Sequence, residues 1–357
     1  MSRFLSAERR ALTPYTPGEQ PRGAKLIKLN TNEAPFPPPQ SVVDAAANAA
    51  QRLNLYSDPE GTALRAALAA YHGVSPENIS LGNGSDETLA FAFAAFGGAE
   101  SAFAFPDVTY GFYPVFASLY NIPYTEIQTD LSLKIRTEDY IELGKNIVLA
   151  NPNAPTGETL PIDDLARVAE SNPENVVIID EAYADFWGET AIPLTAKYEN
   201  LLVTRTYSKS RFLAGARLGY AVGPAELIHD LETVRYCFNP YNLNSMTLAA
   251  GAAALGEDAY YKARWSEITA ARDYTQNALR GLGFETTDSK ANFVFARHAD
   301  VSGAELLAGL RKRGFLARAL GRERARDRLR ITVGAAEQMR AFIGAVEDIL
   351  RARKELS

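Results

Sequence analysis

The stretch 201–217 reads LLVTRTYSKSRFLAGAR, in which three aliphatic residues lead into hydroxyl groups, a lysine and an arginine. Three aliphatics in a row without helical period are typical of a short buried strand. Lys209 would follow the end of this strand, where loss of solvent lowers the pKa of an amine and makes it nucleophilic. Thr206, Ser208 and Arg217 together have the chemistry to hold a phosphate. This combination favours a phosphorylated carbonyl cofactor held covalently by the lysine, although a lone strand-end lysine is more often merely solvated.

Predicted strands and helices alternate on both sides of this stretch. Apolar runs at 79–81, 101–105, 146–150, 176–179 and 219–223 read as strands, and the segments between several of them have a helical pattern. Such alternation predicts an α/β fold with a mostly parallel sheet that is flanked by helices on both faces.

An acidic residue, Asp180, directly follows the aliphatic run 176–179. A carboxylate in that position is costly unless it meets a cation. The protonated ring nitrogen of pyridoxal phosphate would be such a cation, and Tyr183 could reach the same ring. A helix-capping role for Asp180 is the competing interpretation.

Two further turns could contribute to a ligand site. The segment 82–87, GNGSDE, leads from a predicted strand into a predicted helix, and such a turn exposes backbone N–H groups to an anion. A tight turn with Ser85 as the helix N-cap is an equally good interpretation. In 106–113, PDVTYGFY, an aromatic side chain could stack on a flat heterocycle, although aromatics more often pack in the core.

Size, charge and cysteine content narrow the class of protein. A chain of 357 residues is long enough for two domains, and its net charge of −6 argues mildly against nucleic-acid binding. No apolar run is long enough to cross a bilayer, and the N-terminus lacks the apolar core of a signal peptide. The single cysteine, Cys237, excludes an intrachain disulfide framework. We therefore expect a cytoplasmic protein with no nucleic-acid or membrane partner, and no metal site is predicted.

Three regions are expected along the chain. Residues 1–39, rich in proline and polar residues, form an arm that packs with the small domain; residues 40–244 form a large cofactor-binding domain, and residues 245–357 a small one. Nine basic residues against two acidic ones in 311–330 could attract an anionic substrate. Arg330 lies inside a predicted apolar strand, so its guanidinium must contact a partner group. A solvated loop is predicted for Arg322, Arg324 and Arg326.

The chain resembles the fold type I pyridoxal-phosphate aminotransferases, most closely the histidinol-phosphate aminotransferase family, over nearly its whole length. The resemblance rests on these motifs: LNTNE at 29–33, YSDP at 56–59, GNGSDE at 82–87, NPNAPTG at 151–157, DEAY at 180–183, RTYSK at 205–209, LAGAR at 213–217 and LRITVG at 329–334. It implies a homodimer that moves an amino group between L-histidinol phosphate and 2-oxoglutarate, a step of histidine biosynthesis, with pyridoxal 5′-phosphate as cofactor.

The resemblance also implies catalytic roles. Lys209 would bind the cofactor and move the proton at the substrate α-carbon. Asp180 would keep the ring nitrogen protonated, and Tyr183 would hydrogen-bond the ring hydroxyl. Tyr110 would stack on the ring.

Phosphate and substrate binding are implied in the same way. The cofactor phosphate would be bound by a set of small, polar and basic residues: Gly84, Ser85, Asp86, Thr206, Ser208 and Arg217. Tyr56 would reach the phosphate in the neighbouring subunit. The substrate would be held by Tyr15, Arg318 and Arg330.

The chain departs from the family pattern at Ala154, where an asparagine usually bonds the ring hydroxyl; Asn153 is predicted to replace it. Arg211 adds a cation near the cofactor for which no role is predicted. An aromatic amino acid aminotransferase is an alternative, and a phospho-amino-acid decarboxylase is another.

Overall fold

The structure is a computed structural model that describes residues 2–6, 8–21, 26–321 and 323–355. In these residues the chain forms thirteen β-strands and ten α-helices. The strands are β1 (Ile27–Lys28), β2 (Ile79–Gly82), β3 (Phe103–Pro106), β4 (Tyr124–Ile127), β5 (Asn146–Ala150), β6 (Val177–Asp180), β7 (Leu201–Thr206), β8 (Gly219–Val222), β9 (Phe284–Thr286), β10 (Phe293–His298), β11 (Phe315–Leu316), β12 (Arg318–Ala319) and β13 (Leu329–Thr332). The helices are α1 (Gln40–Ala50), α2 (Thr62–His72), α3 (Ser85–Phe96), α4 (Tyr113–Leu119), α5 (Ile162–Ser171), α6 (Ala225–Phe238), α7 (Ser245–Leu255), α8 (Asp258–Gly281), α9 (Gly303–Lys312) and α10 (Ala336–Lys354).

A seven-stranded sheet has the order β2-β8-β7-β6-β5-β3-β4. The five strands from β7 to β4 are parallel, and β8 runs antiparallel to both of its neighbours. The prediction of an α/β fold with a mostly parallel sheet is therefore confirmed. Because β6 pairs in register with β7, Asp180 and Thr204 lie side by side at the carboxyl edge, where the chain continues to Lys209.

Alternate residues of the central strands enter two separate cores. Val148, Ile178 and Leu202 pack in one apolar cluster with α3, α4 and α6. Ile179 and Val203, which point the other way, pack in the other cluster. This alternation is what a pleated strand produces when helices cover both faces, and each buried aliphatic side chain contributes roughly 1.5–3 kcal/mol.

The second sheet, β12-β13-β10-β9, is antiparallel and packs on α8. The N-terminal arm joins this part of the chain, because β1 pairs with β11 and the N–H of Thr332 donates to the carbonyl of Leu29 at 2.9 Å. Helix α7 packs on α1 and α2. The division of the chain at 244 stays a prediction.

The interpretation of Ser85 as the N-cap of α3 needs correction. Gly84, rather than Ser85, precedes this helix as its N-cap. Short elements such as α4, β4 and β9 were not predicted, because segments of three to seven residues carry too little periodicity.

Arg324 is exposed, as expected for a solvated loop, but acceptors from a distant part of the chain hold its side chain. Its guanidinium bonds the carboxylate of Asp107 at 2.6 Å, the hydroxyl of Thr129 at 3.0 Å and the carbonyl of Asp130 at 2.7 Å. Arg326 is exposed and pairs with Glu323, three residues away. Arg322 lies outside the described residues. No helix in the described part of the chain is long and apolar enough to cross a membrane.

Candidate active site

A cavity of about 550 Å³ opens at the carboxyl ends of β6 and β7, where open α/β sheets place their ligands. Most of the site residues predicted from the sequence line it. These are Tyr15, Ser85, Asp86, Tyr110, Asp180, Tyr183, Thr206, Ser208, Lys209, Arg217, Arg318 and Arg330.

Lys209 carries the reactive amine of this cavity. It lies in the loop after β7, and its Nζ donates to the carbonyl of Thr31 at 3.0 Å. Desolvation, together with the positive charge of Arg330, lowers the pKa of this amine to about 8. A much larger fraction of this amine than of an ordinary lysine is therefore neutral and nucleophilic near physiological pH.

Asp180 ends β6 with only 4% of its surface exposed. The hydroxyl of Tyr113 donates to its carboxylate at 2.8 Å, and burial raises the pKa of Asp180 to about 6. The short 3₁₀ turn that follows, Ala184–Phe186, is preceded by Tyr183 rather than by Asp180, so Asp180 does not act as its cap. A buried carboxylate with one such donor suits a cationic ligand group.

An anion cradle surrounds the N-terminus of α3. Ser85 and Asp86 lie in the first turn, where backbone N–H groups have no helical acceptor. The guanidinium of Arg217 reaches the Ser208 hydroxyl at 3.4 Å and the Asp86 carboxylate at 3.0 Å, and the Thr206 hydroxyl lies 3.1 Å from that of Ser208. Because the carboxylate of Asp86 would repel a phosphate, Asp86 can contribute only through its backbone.

Gly84 does not line the cavity but allows the cradle to form. Its φ is +81°, and a Cβ at this position would lie 2.4 Å from the Nη2 atom of Arg217. Any side chain here would force the guanidinium away from the helix terminus. The requirement for glycine at position 84 is thus both conformational and steric.

A second cationic region is formed by two neighbouring strands. Arg318 on β12 and Arg330 on β13 are register partners. Arg318 donates to the carbonyl of Thr16 at 2.7 Å, and Arg330 to that of Asn30 at 3.1 Å. The Nε of Arg330 is buried and meets no acceptor among the described residues. Tyr15 stacks on Phe112 beside them, with ring centroids 4.3 Å apart.

Besides Gly84, two predicted residues do not line the cavity. Asn153 is fully engaged elsewhere: its amide donates to the Val108 carbonyl at 2.9 Å and to the Thr156 hydroxyl at 3.1 Å, and it accepts from Thr109 at 2.7 Å. Its neighbour Ala154 lines the cavity instead. Tyr56 is 85% exposed and stacks on Tyr241.

Arg211 points away from the cavity and is part of the packing behind it. Its guanidinium lies over the rings of Tyr71, Tyr261 and Trp265, at 5.0, 5.0 and 5.2 Å, and pairs with Asp258 at 3.0 Å. The extra cation after Lys209 is therefore held by an aromatic cage and does not approach a ligand in the cavity.

Comparison with known proteins identifies the family to which the chain belongs. Residues 24–346 match the aminotransferase class I and II family. Histidinol-phosphate aminotransferase 1 of Bradyrhizobium diazoefficiens is 47% identical, over 98% of this chain and 100% of the relative. The enzyme of the same name from Pseudomonas aeruginosa is 44% identical over 97% and 99%. The chain belongs to the histidinol-phosphate aminotransferase family.

Solved structures share the fold of this aminotransferase. Histidinol-phosphate aminotransferase from Sinorhizobium meliloti, in complex with pyridoxal 5′-phosphate, superimposes with a TM-score of 0.90 over 99% of both chains at 22% identity. Aspartate aminotransferase from Thermus thermophilus with maleate has a TM-score of 0.83 over 98% of this chain and 100% of the other, at 21% identity. This confirms the fold type I architecture.

The cavity of this aminotransferase fits the cofactor of its family, pyridoxal 5′-phosphate. Lys209 offers an amine of lowered pKa, Asp180 a buried acid, and the α3 terminus with Arg217 a phosphate cradle into which a Cβ on Gly84 would intrude. Among the described residues, no cluster of His, Cys, Asp and Glu is placed to hold a metal ion. The enzyme is a pyridoxal-phosphate-dependent aminotransferase.

Four residues of this site were missed in the sequence: Asn30, Thr31, Asn32 and Tyr113. The first three contact Arg330, Lys209 and Tyr183 respectively, and Tyr113 contacts Asp180. Residues 30–32 belong to the LNTNE motif of the resemblance, but no role was assigned to them, because their local signal is a high density of hydrogen-bonding groups, which is equally typical of a surface arm. Tyr113 sits in a run of aromatics that core packing explains as well.

Proposed function

We propose that this aminotransferase transfers the amino group of L-histidinol phosphate to 2-oxoglutarate, a reaction of histidine biosynthesis. The observation that carries the proposal is the register pairing of Arg318 with Arg330 at the cavity wall. Like charges directly opposite each other on neighbouring strands are destabilising. A dianionic ligand would offset the repulsion between two guanidiniums in this position, and a phosphate monoester is such a ligand.

The same pair serves both halves of the reaction. A carboxylate of glutamate or 2-oxoglutarate is also planar and anionic, and it accepts hydrogen bonds from the same guanidiniums. The buried Nε of Arg330, which meets no acceptor among the described residues, supplies one such donor. The amino-donor substrate and the oxo-acid substrate would thus occupy this region in turn.

The remaining residues are assigned by their position around the cavity. Ser208, Thr206, Arg217 and the N–H groups of Ser85 and Asp86 hold the cofactor phosphate. When bound, pyridoxal phosphate supplies the electron sink for the negative charge that develops on the substrate α-carbon.

Three side chains act at the ring and at the reacting carbon. Asp180 and Tyr110 line the cavity; Asp180 would hold the proton on the ring nitrogen, and Tyr110 would pack on the ring face. Lys209 anchors the cofactor and moves the proton at the substrate α-carbon, which its lowered pKa permits at neutral pH.

We further propose a cytoplasmic homodimer in which Tyr56 reaches the cofactor phosphate of the partner subunit. Tyr56 is exposed and stacks on Tyr241, with ring centroids 4.6 Å apart. Further exposed apolar side chains are those of Leu53, Leu55 and Phe238. Mixing inactive Tyr56→Ala and Lys209→Ala proteins tests this: hybrid dimers with one intact site should recover activity that neither parent has.

A donor panel with 2-oxoglutarate as acceptor tests the reaction itself. Histidinol phosphate should have the highest kcat/KM, ahead of unphosphorylated histidinol, threonine phosphate, phenylalanine and tyrosine. Arg330→Gln should reduce kcat/KM for histidinol phosphate about tenfold or more, but that for histidinol much less, since only the former carries the dianion.

Two results would overturn the proposal. Tyr15, Tyr110 and Phe112 form an aromatic wall of the cavity, so an aromatic amino acid is the competing donor. A higher kcat/KM for phenylalanine than for histidinol phosphate would select it. Release of CO₂ without any oxo-acid acceptor would instead identify a decarboxylase.

A further inference from the structure

Asn32 is a buried residue at the cavity wall whose polar groups are all engaged. It is 1% exposed and has a φ of +55°. Its N–H donates to the Thr332 hydroxyl at 2.9 Å, and its carbonyl accepts from the Asn292 amide at 3.0 Å. In its side chain, Oδ1 accepts from the Thr332 hydroxyl at 3.0 Å and Nδ2 donates to the Tyr183 hydroxyl oxygen at 2.8 Å.

These bonds fix which end of the Asn32 amide faces Tyr183. The Thr332 hydroxyl oxygen accepts from the Asn32 N–H, so its own proton is free to reach Oδ1. The reverse orientation of the amide would place an NH₂ group against this hydroxyl and leave its proton without that acceptor. The NH₂ group therefore faces Tyr183.

The bond from Asn32 restricts the direction in which the hydroxyl proton of Tyr183 can point. A phenol oxygen that already accepts a hydrogen bond from Asn32 becomes a stronger donor through its own O–H. Tyr183 lines the cavity beside Asp180 and Lys209. Its O–H is thus available to an oxygen anion of a ligand in the cavity.

Other residues near Tyr183 do not supply an equivalent amide. Ala154 lines the same cavity but has no polar side-chain atom. The amide of Asn153 donates to the Val108 carbonyl and to the Thr156 hydroxyl. The Asn30 amide also lines the cavity, and it donates to the carbonyl of Glu19 at 2.9 Å.

We propose that Asn32 is a positioning residue that directs the hydroxyl proton of Tyr183 onto the ring oxygen of bound pyridoxal phosphate. This inference rests on the proposed assignment of the cavity to the cofactor. Asn32 acts through Tyr183 and does not itself take part in proton transfer. The Thr332 and Asn292 contacts hold the Asn32 backbone in place at a φ of +55°.

The test compares Asn32→Ala, Asn32→Asp, Tyr183→Phe and the Asn32→Ala/Tyr183→Phe double variant as holoenzymes. Two quantities are measured without substrate: the cofactor dissociation constant and the pH midpoint of the visible absorbance of bound cofactor. A donor to the ring oxygen stabilises its negative charge and so lowers the basicity of the neighbouring nitrogen. Each single change should therefore raise the pH midpoint, by about one unit for the loss of one such bond, and weaken cofactor binding.

The double variant and a matched control make the outcome specific. If Asn32 acts only through Tyr183, the double variant should shift no further than Tyr183→Phe alone. Asn121→Ala is the control, because Asn121 is exposed and has nearly the same φ, +56°, away from the cavity. It should leave both quantities unchanged.

Asn32→Asp covers the case in which Asn32→Ala fails to fold. It preserves the shape of the side chain but replaces the amide donor by a carboxylate that captures the Tyr183 proton, so the midpoint should again rise. A midpoint that stays at the wild-type value in both Asn32 variants while Tyr183→Phe moves it would overturn the inference, as would additive shifts in the double variant. Failure of the wild-type protein to bind pyridoxal phosphate would instead count against the proposed function.

Discussion

The amine of Lys209 lies 3.0 Å from the carbonyl oxygen of Thr31, a residue 178 positions earlier in the chain. The residues on either side of Thr31 make equivalent contacts: the Asn30 carbonyl accepts from Arg330, and the Asn32 amide donates to Tyr183. One extended segment of the N-terminal arm therefore meets Lys209, Arg330 and Tyr183, which are proposed to act as nucleophile, anion-binding group and ring-binding group. The arm is part of the active site, as well as a packing element beside the second sheet.

Lys209 should titrate far below an ordinary lysine in the cofactor-free enzyme. Its reactivity toward acetic anhydride, measured by competitive labelling and peptide mass spectrometry, should rise with pH through a midpoint near 8, because the neutral amine is the reactive form. Arg330→Ala removes the largest charge contribution to the lowered pKa, so it should move the midpoint upward.

Arg297→Ala is the control for this titration, since Arg297 forms an exposed ion pair with Glu285 on the second sheet. It should leave the midpoint of Lys209 where it is in the wild-type protein. A wild-type midpoint at or above the ordinary lysine value of about 10.4 would contradict the account of desolvation at this site.

Gly84→Ala should weaken cofactor binding. The added methyl group would lie 2.4 Å from the Arg217 guanidinium and displace it from the α3 terminus. Loss of one charge-assisted phosphate contact corresponds to about a tenfold or greater increase in the dissociation constant, measured by titrating the cofactor-free enzyme with pyridoxal phosphate.

Gly144→Ala separates this steric effect from backbone strain. Gly144 also has a positive φ, +67°, but a Cβ there meets nothing within 4 Å. Both substitutions should destabilise the fold by about 1 kcal/mol, whereas only the change at Gly84 should alter cofactor affinity. Equal affinities in the two variants would remove Gly84 from the phosphate cradle.

Arg211→Ala should destabilise the protein without changing the absorbance maximum of bound cofactor. The substitution removes a guanidinium that packs against Tyr71, Tyr261 and Trp265 and leaves the partly buried Asp258 with Lys262 as its remaining ion-pair partner. Breaking a buried pair of this kind costs about 3 kcal/mol, to be measured by urea unfolding. Arg326→Ala, which loses only an exposed ion pair, should change the unfolding free energy by less than about 0.5 kcal/mol. A shifted absorbance maximum in Arg211→Ala would contradict this account and indicate that Arg211 contributes to the cofactor site.

The sequence predicted those features that local pattern determines. Aliphatic runs such as 176–179 and 201–203 identified the central strands, because residues buried on both faces of a sheet leave a continuous apolar signal. The acid at 180 and the lysine at 209 were found for the same reason, since Asp180 directly follows one such run and Lys209 lies in the loop after the strand that contains the other. In a parallel sheet the ends of neighbouring strands meet at one edge, so both residues reached one cavity.

The features that were missed or mistaken depend on contacts between distant parts of the chain. Nothing local in Asn32 indicates a bond to Tyr183, 151 residues away. Arg324 reads as one arginine among several in a polar loop, and only the fold shows that Asp107 meets it. Arg211, two residues after Lys209, suggested a cation near the ligand, but its side chain points away from the cavity and lies in an aromatic cage.

The central claim, that Lys209 holds the cofactor in this cavity, is tested most directly by reducing the holoenzyme with borohydride and mapping the labelled peptide by mass spectrometry. The account predicts that the cofactor mass is found on Lys209 and nowhere else, and that Lys209→Ala carries no label after the same treatment. A label on another lysine, or an unlabelled wild-type protein after reconstitution with pyridoxal phosphate, would contradict it.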